Sequence, residues 1–139
     1  MEEKKEEKKV VIYNCFGGFS NTGFTAALAT IEALKEVGLD KACIACSVGL
    51  PANVKDVFEN TDKARKIITV DGCPFECARK VVESAGYKVA DSIQLARDIQ
   101  MKKKSLFKGY GEITDVMQHI DKEDVRKAKE LIVKTILEE

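Results

Sequence analysis

Short runs of β-branched residues alternate with helical patterns along roughly the first two thirds of this chain. The runs lie at residues 10–15, 42–47 and 66–70, and each is followed by a stretch of helical periodicity. This alternation is typical of a parallel sheet, because parallel neighbours need a crossover helix between them. The pattern predicts a single Rossmann-like α/β domain over residues 10–139, a three-layer αβα sandwich with a mostly parallel sheet of about four strands.

The helical periodicity is clearest in the first half of the chain. It predicts a helix through residues 24–34 that ends at Gly38, a second over 53–64, and a third that begins within 71–78. Pro74 suits the first turn of the third helix, where its missing N–H costs nothing. The apolar stripe of that helix is predicted to contain Phe75, Ala78, Val82 and Ala85.

The remainder of the chain carries weaker patterns until its last helix. Residues 87–90 are predicted to begin a fourth strand, residues 109–111 to form a loop, and residues 112–119 to form a short helix. Asp121 is suited to cap a final helix. Its apolar stripe is predicted to contain Val125, Ala128, Ile132 and Ile136.

Composition limits the classes of partner. The chain has 23 Lys and Arg and 23 Asp and Glu, and this balance argues against a broad nucleic-acid-binding face. No apolar run has the length of a membrane span, and no signal peptide precedes the first strand. We therefore expect a cytoplasmic protein that binds neither nucleic acid nor membrane. Residues 1–9 form a balanced charge block, which predicts a disordered leader.

Five cysteines are the main source of chemistry in the sequence. In a reducing compartment, clustered thiols indicate metal or redox chemistry rather than disulfides. Cys15 and Cys46 end the first two strands, and Cys73 follows the third. The carboxyl ends of parallel strands meet at one edge of the sheet, and Cys77, four residues after Cys73, is predicted to share a helical face with it. These four thiols are the predicted metal ligands.

Zinc is the ion that this set predicts. Tetrahedral Zn–S bonds of about 2.3 Å suit four thiolates, and the geometry works best with the first strand between the second and third, so that Cys15 is central. An iron–sulfur cluster is a less favoured alternative, because its common cysteine spacings are tighter. Cys43 is excluded, since three strand residues separate it from Cys46 and point it to the opposite face. We expect it to pack in the core.

The loop after the first strand is a second candidate site. Gly17, Gly18, Ser20 and Asn21 precede a helix, where backbone N–H groups can hold a small anion or phosphate. The loop lacks the lysine of a nucleotide-binding loop. A tight turn capped by Ser20 or Asn21 is the structural alternative, and the two roles are compatible.

These residues resemble the DGC-domain family, which is described as zinc-binding. The resemblance runs from about residue 10 to residue 104. It rests on Cys15 with its Gly/Ser/Asn loop, on Cys46 with its small-residue turn, and on the D-G-C-x-x-x-C-A signature at residues 71–78. The resemblance implies a metal site formed by the four cysteines named above, and it implies no particular reaction.

Two functions follow from the sequence. The first is a metal-binding protein that holds one Zn(II) through Cys15, Cys46, Cys73 and Cys77. The alternative is a thiol-dependent enzyme or a redox or metal carrier, in which Cys15 or Cys73 is the reactive thiolate and the loop at residues 17–23 is the anion site. Asp71 is expected either to orient a ligand or to accept N–H bonds from the loop that follows it. The sequence leaves the oligomeric state open.

Overall fold

Four parallel strands form one sheet in the part of the chain that the computed structural model describes, residues 8–16 and 18–139. The strands are β1 (Val10–Cys15), β2 (Ala42–Ala45), β3 (Lys66–Asp71) and β4 (Asp91–Gln94). Their order in the sheet is β2-β1-β3-β4, so β1 lies between β2 and β3 and β4 lies outside β3. Residues 1–7 of the predicted leader, and Gly17 of the predicted anion loop, lie outside the described residues.

Helices cover both faces of the sheet and confirm the predicted α/β sandwich. They are α1 (Asn21–Val37), α2 (Lys55–Asp62), α3 (Cys77–Ser84), α4 (Leu95–Asp98) and α5 (Lys122–Leu137), with short 3-10 turns at Ser47–Gly49, Leu106–Lys108 and Val116–His119. Ser20 caps α1 by accepting a hydrogen bond from the Gly23 N–H, and Asp121 caps α5 in the same way from Glu123. Within the described residues, no helix combines the length and the apolar character needed to span a bilayer.

The central strand shows how the two core layers arise. Val10 and Ile12 face α1 and α5, whereas Val11 and Tyr13 face α2 and α3. Because side chains alternate along a strand and β1 is apolar at every one of these positions, both of its faces are buried. The stripe of α5 is in place as predicted, with Ala128, Ile132 and Ile136 buried and Val125 packed at the margin of the core.

Several predicted boundaries are wrong for reasons of tertiary contact. β2 ends at Ala45, because residues 47–49 turn into a 3-10 helix. The fourth strand is Asp91–Gln94 rather than residues 87–90, because pairing with β3 begins only where the Ala90 N–H reaches the Ile67 carbonyl. Tyr87 instead bonds to α2. The short helix predicted at residues 112–119 is the 3-10 turn at Val116–His119.

Two tyrosines on the α2 side of the sheet predict a loss of stability at alkaline pH. The Tyr13 hydroxyl lies 2.5 Å from Thr61 Oγ1, and burial raises the pKa of Tyr13. The Tyr87 hydroxyl donates to Asp62 Oδ1 at 2.6 Å, and burial together with this bond raises the pKa of Tyr87 to about 12. An unfolded tyrosine loses its proton near pH ~10. Between the pKa of an unfolded tyrosine and the raised pKa values of the two folded tyrosines, the folded chain keeps protons that the unfolded chain has lost. The free energy of unfolding therefore falls as the pH rises through this range.

The measurement is urea denaturation at a series of pH values from about 9 to about 11. We expect the midpoint to fall steadily, and to fall less steeply in Tyr87→Phe, which has one fewer phenol to ionise. A midpoint of the native chain that stays constant over this range would contradict the prediction.

Candidate metal centre

The four cysteines predicted as ligands all belong to the carboxyl edge of the sheet by their place in the chain. Cys15 is the last residue of β1 and pairs with Asp71, the last residue of β3. Cys46 directly follows Ala45, which is the last residue of β2. Cys73 lies two residues beyond β3, and Cys77 is the first residue of α3. This common edge follows from the parallel strands, which all end on the same side.

The cysteines differ in their exposure. Cys73 is buried with 4 % of its surface exposed, Cys15 is half-buried, and Cys46 and Cys77 are exposed. Among residues 8–16 and 18–139, no three His, Cys, Asp or Glu side chains lie close enough together to hold a metal ion. The edge therefore carries thiols on neighbouring elements, but their side chains are not gathered around one point.

Cys43 lies apart from this edge, within β2. It is half-buried and packs against the cluster of Val11, Tyr13 and Leu50. Burial raises the pKa of its thiol, which keeps the thiol protonated. A protonated thiol in an apolar layer is the packing role that we expected for Cys43.

The helix that carries Cys77 begins later than the sequence predicts. Residues 72–76 form a loop, and Glu76, with φ of +51°, precedes the first helical residue, Cys77. The prediction that Cys73 and Cys77 share a helical face is therefore wrong. Phe75 is also exposed, whereas Ala78 and Val82 of the predicted stripe are buried.

Asp71 explains why α3 begins at Cys77. Its fully buried carboxylate accepts hydrogen bonds from the Ala78 N–H at 2.8 Å and from the Arg79 N–H at 3.2 Å. It thereby caps α3 from a strand end seven residues away, and no cap comes from the side chain of Glu76. Burial raises the pKa of this carboxyl, and the two N–H bonds partly offset the rise.

Gly72 brings the loop against the first turn of α1. A Cβ built on Gly72 would lie 2.6 Å from the Gly23 nitrogen and closer still to the carbonyl of Thr22. Only a residue without a side chain fits there, since both obstacles are backbone atoms. Cys73, the next residue, is buried directly after this close approach.

Glu76 ties the other end of the loop to the neighbouring strand. Its carboxylate accepts from Gln94 Nε2 at 3.0 Å and pairs with Arg97 at 3.4 Å and with Arg79 at 3.5 Å. Gln94 ends β4, so these bonds connect the start of α3 to the outer strand of the sheet. The loop between Cys73 and Cys77 is thus anchored at both ends.

The loop after β1 supports the capping role that we weighed for it. Ser20 is buried and caps α1, and Asn21 uses its amide to accept from the Lys104 N–H at 2.6 Å and to donate to the Lys102 carbonyl at 3.0 Å. At Gly18, with φ of +51°, the space around a Cβ is open. An anion site at Gly17, Gly18, Ser20 and Asn21 stays a prediction.

The fold and this edge define an α/β sandwich protein whose parallel sheet ends in a cysteine-bearing edge. Residues 11–132 match the DGC domain family, and because the match spans nearly the whole chain, the protein belongs to that family. Searches of curated proteins and of solved structures found no match.

Two residues important to the geometry of this edge were missed as such by the sequence reasoning. Gly72 has a contact that depends on α1, which is distant in sequence, and Glu76 has partners on β4 and α4. The signal available for Gly72 was its position between Asp71 and Cys73 in the signature. No comparable signal marks Glu76, because an isolated glutamate in a loop is ordinarily solvated.

Proposed function

We propose that the protein binds one Zn(II) through the thiolates of Cys15, Cys46, Cys73 and Cys77. The observation that carries the proposal is the convergence of four thiol-bearing chain segments on one sheet edge, with β1 and its Cys15 between the other two strands. The donor set fits the chemistry of zinc, which takes four thiolates in its structural sites. Membership of the DGC family supports the same assignment.

Differences in exposure among the four cysteines support different roles for them in binding the ion. The exposed side chains of Cys46 and Cys77 can rotate, whereas Cys73 is buried and follows Gly72, whose backbone lies close against α1. We infer that the anchored loop presents Cys73 and that the exposed thiols close on the ion from outside. Four thiolate ligands leave no open coordination position. The ion would therefore stabilise the edge of the sheet or be carried as cargo, rather than activate water. A reducing compartment such as the cytoplasm keeps these thiols available.

The test is metal content in two matched cysteine variants. We expect untagged native protein to hold about one zinc per chain, and Cys43→Ala to hold as much, because Cys43 packs inside the sheet. Cys77→Ala removes one of four ligands. Its zinc affinity should fall by more than roughly 10- to 100-fold, which is the cost of losing a group that only hydrogen-bonds to a metal ligand. Elemental analysis and competition with a chromogenic chelator measure both quantities.

Thiol counting separates this proposal from thiol chemistry. With zinc bound, four thiols should react slowly with an aromatic disulfide reagent and should react quickly once a chelator is present. Metal-free native protein with one fast thiol would overturn the zinc proposal and favour the alternative of a reactive Cys15. The burial of Cys73 makes that residue the poorer nucleophile of the two that the sequence suggested. Equal zinc in Cys77→Ala and Cys43→Ala would show that the ligand set is wrong.

A further inference from the structure

Three exposed phenylalanines and a half-buried fourth, Phe24, form a cluster beside the cysteine-bearing edge. We call Phe16, Phe19, Phe24 and Phe107 the phenylalanine cluster. Their rings meet edge to face, with centroids 5.7 Å apart for Phe16 and Phe24, 6.0 Å for Phe19 and Phe24, and 5.9 Å for Phe19 and Phe107. Phe16 is 64 % exposed and Phe107 is 83 % exposed. Single exposed apolar residues are ordinary, but a contiguous aromatic group of this kind indicates an interaction surface.

The backbone holds this cluster outward. Phe19 has φ of +59°, a conformation that costs a bulky residue free energy, and its carbonyl accepts from the Leu106 N–H at 3.0 Å. Ser20 and Ser105 form an antiparallel bridge next to it. These bonds join the loop after β1 to the segment that carries Phe107, so the exposed rings are part of an ordered surface.

A second exposed apolar stretch follows the cluster in the chain. Residues 109–118, which we call the arm, are exposed at every position. The arm carries four large apolar side chains, Tyr110, Ile113, Val116 and Met117. Two hydrogen bonds mark its return to the body of the protein. Lys104 Nζ donates to His119 Nδ1 at 3.2 Å, and His119 Nε2 donates to the Ile113 carbonyl at 2.9 Å. No residue of the described ranges, 8–16 and 18–139, buries the arm.

The cluster and the arm are complementary in charge as well as in apolar character. Three exposed lysines, Lys102, Lys103 and Lys104, lie beside the cluster, where the backbone of Lys102 and of Lys104 bonds to the side chain of Asn21. The arm contains Glu112 and Asp115 and no lysine or arginine. The cluster is therefore flanked by positive charge and the arm carries negative charge, which is the arrangement expected of two halves of one interface.

We propose that a second copy of this chain covers the phenylalanine cluster with its arm, and that the exchange is reciprocal. Every copy carries both halves, so a twofold dimer satisfies two arms and two clusters at once. The acidic, apolar character of the arm matches the basic, aromatic character of the cluster, and this match identifies a second copy as the occupant. The dimer goes beyond the proposed metal site and does not depend on it.

The first experiment measures mass against concentration for full-length protein, in reducing buffer with a chelator so that metal cannot bridge chains. Light scattering should give twice the chain mass of 15.4 kDa for the native protein. Phe107→Ser should weaken the dimer by at least about tenfold, since exposed aromatic anchors carry much of the energy of an interface. Leu39→Ser is the matched control, because Leu39 is 72 % exposed in the turn after α1, at the opposite edge of the sheet. It should leave the dimer unchanged.

The second experiment tests which surfaces meet. Ile113→Ser combined with Met117→Ser removes the apolar character of the arm and should also favour the monomer. An equimolar mixture of this variant with Phe107→Ser retains one intact pair, the arm of one chain on the cluster of the other. The mixture should form dimers at a lower concentration than either variant alone.

Three results would overturn the proposal. They are a native chain that is monomeric at every concentration, an undiminished dimer in Phe107→Ser, and a mixture that dimerises no better than its components. Zinc content measured on the same proteins before the chelator is added keeps failure of the dimer distinct from failure of the metal site.

Discussion

Replacing Gly72 by alanine is expected to lower the free energy of unfolding by about 3 kcal/mol, at the upper end of what overpacking ordinarily costs. The added Cβ would meet the Thr22 carbonyl and lie 2.6 Å from the Gly23 nitrogen. Both are backbone atoms in the first turn of α1, so the clash can be relieved only by moving the helix or the end of β3. Chemical denaturation of the native chain and the variant measures the difference.

Gly86→Ala is the control for this substitution. Gly86 has φ of +93° and nothing within 4 Å of a built Cβ, so its replacement tests backbone strain without a clash. It should cost only about 1 to 2 kcal/mol. If Gly72→Ala were no more destabilising than Gly86→Ala, the close approach between the loop and α1 would be wrong.

Replacing Asp71 by alanine is also expected to lower the free energy of unfolding by about 3 kcal/mol. The substitution removes the acceptor of the Ala78 and Arg79 N–H groups at the start of α3. An N–H left buried without a partner costs about 1 to 3 kcal/mol, and Ala78 is buried. Asp71→Asn keeps one acceptor oxygen and should cost about half as much. Denaturation curves for both variants, with helicity followed by circular dichroism, measure these losses.

Asp121→Ala is the matched control, since Asp121 caps α5 through the same kind of bond, to the Glu123 N–H at 2.8 Å. Asp121 is exposed, and water can replace it, so we expect a loss of about 1 kcal/mol. Equal losses at Asp71 and Asp121 would mean that burial of the Asp71 cap contributes nothing to its effect.

Taken together, these effects give each residue of the D-G-C tripeptide a separate physical role. Asp71 caps α3, Gly72 allows the approach to α1, and Cys73 supplies a buried thiol. The first two roles stabilise the sheet edge without any metal. A denaturation experiment on Gly72→Ala and Asp71→Ala in the presence of a chelator therefore reports on the edge itself, separately from the zinc proposal.

Local patterns predicted the strands and helices whose buried faces are continuous in sequence. β1 and β3 were recognised from runs of β-branched residues, and α5 from its stripe and the Asp121 cap. β4 was misplaced because its bounds depend on where β3 can accept pairing, which local composition does not encode. The start of α3 was misplaced because its cap, Asp71, is seven residues away rather than adjacent.

The sequence by itself determined that Cys15, Cys46, Cys73 and Cys77 belong to one edge of a parallel sheet, since that follows from strand direction alone. Only the tertiary structure decided that Cys73 is buried, and that Cys77 is the first residue of α3 and does not share a helical face with Cys73. It also decided that, within the described residues, the thiols are not gathered around one point. The physical reason is that the strands, and their parallel direction through crossover helices, follow from short-range patterns. The position of a side chain at a loop depends instead on contacts such as Gly72 with α1 and Glu76 with β4, which join distant parts of the chain.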